Sequence, residues 1–252
     1  MTKREQRRVL ATLNERERII LETLNEFEKE EIEPVPLLSH ALRTTPVEFM
    51  VFACLGTKKG AEELKLDLYE TIFLKHFRRI AEKLFRALAG RGVEATLRII
   101  LPDLEPRRTW GWQVPQEDLT GFCQMMVEDA TAQLPKGWRA STWSDLERQT
   151  PMGTEYDRVC DWAESSAHPL ILKDERLFFQ ELERRHPEIL TRRDAETMAR
   201  RQIAAYAHEG RVLEQIFPNA ILLQTDTPVK RKDLMFQTLR KQSLPIAHPF
   251  TN

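Results

Sequence analysis

The sequence predicts an α/β domain built on a mainly parallel central sheet, and three observations predict it. Residues 47–55 form an almost wholly apolar run, Val-Glu-Phe-Met-Val-Phe-Ala-Cys-Leu, as in a strand buried on both faces. A long amphipathic stretch follows at about 66–89, with Leu66, Tyr69, Phe73, Phe77, Ile80, Leu84 and Leu88 on one face. A second strand pattern then appears at 95–101. Strand, helix and strand in that order make a parallel crossover unit.

The remaining elements follow in chain order. Residues 4–31 are charged, with apolar positions at Val9, Leu10, Leu13, Ile19, Ile20, Leu24 and Phe27, a helical spacing that Pro34 and Pro36 end. This gives an N-terminal helical extension over 1–36 and an α/β domain over 37–252. The extension suits a lid, a clasp or a partner contact, or a solvated helix packed on the domain by one face. Gly90 and Gly92 close the 66–89 helix. After the second strand come a tryptophan-bearing loop (105–115), a helix at about 116–133 and a short strand at about 138–143. A helical region spans about 155–217, broken near His168-Pro169 and His186-Pro187, and a last clear strand lies at 220–226. The tail, 230–250, fits a helix or an edge hairpin equally well.

Composition narrows the function classes. The chain has 252 residues, 41% hydrophobic and 31% charged, which excludes full disorder and a membrane-embedded chain. Lys and Arg total 38 against 39 Asp and Glu, so the protein is not a general polyanion binder, although a local basic patch is compatible with the total. Cys54, Cys123 and Cys160 are too widely spaced for a zinc site and suggest free thiols in a reducing compartment. With no secretory signal and no apolar run near 20 residues, a cytoplasmic protein without membrane partners is expected.

Ligands of open α/β sheets sit beyond the carboxyl ends of the strands, so polar residues there are the first candidates. Three ends qualify: Lys58 and Lys59; Asp103 with Arg107 and Arg108; Asp226 with Lys230. The cations suit phosphate or carboxylate, and an aspartate there suits an amine or general-base work. Each of these residues also suits an ordinary solvated loop charge. Trp110 and Trp112, beside the two arginines, would stack a ring or close over the sheet edge. The doublets at 184–185, 192–193 and 200–201 form either a basic face toward RNA or, with the interleaved acids, a salt-bridged surface. The Gly56–Gly60 turn lacks both nucleotide fingerprints, no Gly-x-Ser-x-Gly elbow occurs, and the histidines show no metal spacing, so neither a metal nor a bound cofactor is expected.

The order of these blocks resembles the isocyanide (isonitrile) synthases of the pyoverdine/dityrosine biosynthesis family. The carriers are the strand running into Thr57-Lys58-Lys59-Gly60, the segment Ile99 to Asp103 with its aromatic loop, and Val114 to Leu119. Later come Arg200-Arg201 to Tyr206, Phe217-Pro218-Asn219-Ala220-Ile221, then Lys230 or Lys232 and Leu244-Pro245-Ile246. The family's Ser-Pro-Asn turn is absent, and its Ser-Ile-His stretch is Gln224-Thr225-Asp226 here. The resemblance implies a Rossmann-like domain and conversion of an amino acid's α-amine to an isocyanide, with ribulose 5-phosphate as carbon-donating co-substrate. Lys58, Lys59, Asp103 and Asp226 would then be catalytic, and Arg107, Arg108, Trp110, Trp112, Arg201 and Lys230 would bind substrate. Two alternatives stand beside it. One is a tRNA-dependent transferase of cyclodipeptide-synthase type, with Thr57 in place of that family's serine. The other is a non-catalytic partner-binding protein.

Overall fold

The computed structural model describes residues 11–27, 45–52, 79, 81–104, 108, 115–165, 192–223 and 246–247. The elements are helix α1 (Glu15–Phe27), strand β1 (Val47–Phe52), helix α2 (81–90), β2 (Ala95–Leu101), α3 (Gln116–Gln133), β3 (Arg139–Thr142), α4 (Trp143–Glu147), a 3-10 turn (Pro151–Glu155), α5 (Tyr156–Ser165), α6 (Arg192–Ile216), β4 (Ile221–Leu223) and β5 (Ile246–Ala247). The strands form one sheet in the order β3-β2-β1-β4-β5, every pairing parallel. This is the Rossmann-like α/β arrangement that the alternation of strands and helices predicts.

Alternation along the strands divides the core into two layers. Val47, Phe49 and Val51 of β1, Leu97, Ile99 and Leu101 of β2, and Ile221 and Leu223 of β4 share one face. They pack with α1, α2 and α3 through Ile20, Leu24, Leu84, Leu88 and Cys123. Met50, Ile100 and Leu222 face the other way, against Trp143 and Leu146 of α4 and Val212 and Leu213 of α6. Each fully buried large apolar side chain contributes about 1.5–3 kcal/mol. Covering both faces explains why β1 and β2 read as continuous apolar runs.

Helix α1 is part of the first layer: Ile20 and Leu24 are wholly buried. Its start is a capping box. Asn14 Oδ1 accepts from the Glu17 N–H at 2.9 Å, and Glu17 Oε2 accepts from the Asn14 N–H at 2.8 Å. Arg91 ties its far end down by donating to Thr23 Oγ1 at 2.9 Å and pairing with Glu26. Gly92 closes the turn after helix α2, and its φ of 76° lies in the left-handed region that glycine adopts without a steric penalty.

Of the tail, Ile246–Ala247 is described and forms a parallel edge strand beside β4; the rest of 230–250, where a helix or an edge hairpin is expected, lies outside the described residues. The strand expected at 138–143 stops at Thr142, because its hydroxyl caps the next helix by accepting from the Asp145 N–H at 3.2 Å. One tight approach fixes the chain after α4. A Cβ at Gly153 would lie 2.0 Å from the Glu147 carbonyl oxygen. Gly153→Ala is therefore expected to lower stability by about 3 kcal/mol, measured by urea unfolding, since backbone must move to admit it.

Candidate functional site at the carboxyl edge of the sheet

All five strands are parallel, so their carboxyl ends share one edge. The connection reverses between β1 and β4, the switch point where such sheets leave a crevice. Two polar clusters follow β2 and β3 at this edge.

The first is built on Asp103, two residues past β2 and wholly buried. One carboxylate oxygen accepts from the Ser144 N–H at 2.9 Å and the other from the Thr120 hydroxyl at 3.0 Å. Gln116 donates to the Asp103 carbonyl at 3.1 Å. Asp103 thus joins the end of β2 to the starts of α3 and α4. Both oxygens are engaged, so in this arrangement its work is to brace the edge. The nearby Cys123 thiol is pushed up to about 12 by burial and, secondarily, by the Asp103 charge. A thiol held neutral is a poor nucleophile. Cys123 is expected to resist iodoacetamide at pH 8 in the native protein and to react on unfolding, as intact-mass spectrometry would record.

The second cluster centres on the buried Glu147 at the end of α4. Arg108 pairs with it through both terminal nitrogens, Nη2 to Oε2 at 3.1 Å and Nη1 to Oε1. Trp143 Nε1 donates to Oε1 at 2.5 Å, and His208 Nε2 lies 3.1 Å from the same oxygen. Burial pushes the Glu147 carboxyl up, but hydrogen bonds from His208 and Arg108 and the Arg108 charge outweigh it and hold the group below its ordinary range. Tyr156, opening α5, lies with its ring 4.0 Å beneath the Arg108 guanidinium and meets the His208 ring edge-on at 5.5 Å. The chain reaches this geometry because α4 is only five residues long and α6 presents Ala204, Ala205, His208 and Val212 as its buried stripe.

The fold is similar to that of PvcA from Pseudomonas aeruginosa. The match has a TM-score of 0.50 at 16% identity and spans 97% of this chain and 87% of that one. A cyclodipeptide synthase from Candidatus Glomeribacter gigasporarum, solved bound to Phe-tRNAPhe, matches with a TM-score of 0.47 at 14% identity, over 81% of this chain and 86% of that one. At 16% identity the likeness to PvcA is one of fold. No protein-family model and no curated protein matches the sequence.

Of the residues nominated from sequence, Asp103 and Arg108 occupy the two clusters, and Arg201 lies exposed on α6. Lys58, Lys59, Arg107, Trp110, Trp112, Asp226 and Lys230 lie outside the described residues. Sequence reasoning missed Glu147, Tyr156 and His208. For His208 a signal existed: a histidine on an apolar helical stripe needs a polar partner inside. For Glu147 the signal was the four-residue spacing from Trp143, which puts indole and carboxylate on one helix face. No described helix is long and apolar enough to cross a membrane.

Proposed function

We propose that the chain is a small-molecule biosynthetic enzyme of isocyanide-synthase type, acting on an amino acid with ribulose 5-phosphate as co-substrate. The observation that carries the reading is the parallel 3-2-1-4-5 sheet with its switch point between β1 and β4. Lys58 and Lys59 follow β1 in the sequence, and Asp226 and Lys230 follow β4. Ligands of such sheets bind there, and cations there suit a sugar phosphate. The order of motifs shared with the isocyanide synthases, together with the likeness in fold to PvcA, supports the choice of chemistry.

In this reading the lysines hold the phosphate or form a Schiff base with the sugar carbonyl, and Asp226 moves protons. Asp103 keeps the loop after β2 in place. Arg107, Arg108, Trp110 and Trp112 recognise the amino acid, and Arg201 and Lys230 complete the set around the anions.

The test is incubation of the purified protein with single amino acids and ribulose 5-phosphate, followed by mass spectrometry after trapping isocyanides with a tetrazine. The reading expects a trapped product that needs both substrates and is lost in Lys58→Gln or Lys59→Gln. Stabilisation by bulk tRNA that fades steeply with salt, with no such product, would replace it with a tRNA-dependent transferase.

A further inference from the structure

The Glu147 cluster leaves hydrogen-bonding capacity unused. A guanidinium has five N–H groups. Glu147 takes one from each terminal nitrogen of Arg108, and no other described residue accepts from it. The remaining three sit on a side chain 22% exposed, seven residues past the end of β2 in sequence. The plane of the guanidinium is fixed twice, by the Tyr156 ring beneath it and by the Glu147 carboxylate along one edge. Glu147, 8% exposed, is itself held by Trp143 and by the fully buried His208.

A second unmatched group belongs to the same cluster. His208 Nε2 faces the Glu147 carboxylate, and its Nδ1 is buried without a hydrogen-bond partner. Fixed donors in fork geometry fit planar or tetrahedral oxyanions.

We infer that Arg108 is an oxyanion-binding residue of this edge, that Glu147 and Tyr156 position it, and that His208 acts through Glu147. The ligand group is a carboxylate or a phosphate monoester. This deepens the function proposed above, and rests on it only for the choice of anion.

The experiment uses the full-length protein and four probes: inorganic phosphate, ribulose 5-phosphate, acetate and glycine. Thermal melting gives affinities, and the Arg108 Nε–Hε resonance reports contact directly. At least one probe is expected to raise the melting temperature saturably and to move the Arg108 resonance. The phosphate and carboxylate arms tell the two sources apart. Arg108→Lys keeps the charge but loses the fork, and should bind at least about tenfold more weakly. Glu147→Gln should weaken binding similarly. His208→Gln retains a donor to Glu147 and should stay close to wild type, whereas His208→Leu should follow Glu147→Gln. Arg148→Gln, an exposed control, should change nothing.

Wild-type affinity in folded Arg108→Lys, or no saturable response of the Arg108 resonance to any probe, overturns the inference. Should a variant not fold, the wild-type resonance still decides. Anion binding lost in Arg108→Lys without isocyanide formation by the wild type retains this inference and refutes the reaction. Isocyanide formation by Arg108→Lys at an unchanged KM retains the reaction and refutes this inference.

Discussion

Replacing Glu147 with leucine is expected to cost about 3 kcal/mol or more, the largest loss of any single polar substitution in the described structure. The change strips an acceptor from three donors at once: the Arg108 guanidinium, the Trp143 indole and His208. A positive charge at the edge of the core loses its partner, and two buried N–H groups lose theirs. Glu147→Gln should cost less. Oε1 carries three of the contacts, so a carbonyl oxygen placed there keeps most of them, and the amide nitrogen opposes only Arg108 Nη2. The double variant Arg108→Leu/Glu147→Leu should be more stable than the sum of the single changes, because it removes both members of the pair. Chemical unfolding of the four proteins measures this coupling.

The same residue gives a pH dependence with a definite sign. Its carboxyl is held below the ordinary glutamate value of about 4.3, so the unfolded chain takes up the proton first as the solution is acidified. The contribution is fully present above that ordinary value and is lost as the pH falls through the lower folded one. Glu147→Gln should therefore show a flatter decline in stability below about pH 4.3 than the wild type.

Asp103→Ala is the second large effect, expected at about 2–3 kcal/mol. It leaves the Ser144 N–H, at the start of α4, unpaired inside the protein, and it frees the Thr120 hydroxyl from its tie to β2. Asp103→Asn separates bracing from proton transfer. The amide oxygen still accepts from Ser144, and the amide nitrogen donates to the Thr120 oxygen, so stability should stay within about 1 kcal/mol of wild type. If bracing is the whole of its work, the asparagine variant also keeps any activity that the wild type shows. A stable but inactive asparagine variant would assign Asp103 a proton-transfer step.

These residues show how much the sequence reveals and where it stops. β2 and α3 are legible almost to the residue, because each is a long segment with one clear period and a proline near its boundary, Pro102 and Pro115. β1 begins at the expected Val47 for the same reason. Asp103 is legible as a polar residue at a strand end. Its partners are not, because Thr120 and Ser144 come from two other elements and only the packed sheet brings them near. Glu147 looks like a solvated acid in a charged stretch, and its burial depends on α6, about sixty residues later. His208 sits between Ala207 and Glu209 with no motif around it, and only the buried stripe of α6 gives it meaning.

The proposed function requires a phosphate-bearing substrate to bind at the carboxyl edge of the sheet through the lysines that follow β1. The most direct measurement is the melting temperature of the purified protein against ribulose 5-phosphate, with equal sulfate as the ionic control. Wild type would be set beside Lys58→Gln/Lys59→Gln. A selective ligand stabilises the state it binds. The expected result is a saturable rise in the wild type, beyond that with sulfate, which the double variant lacks. No rise, or the same rise in both proteins, would contradict the claim.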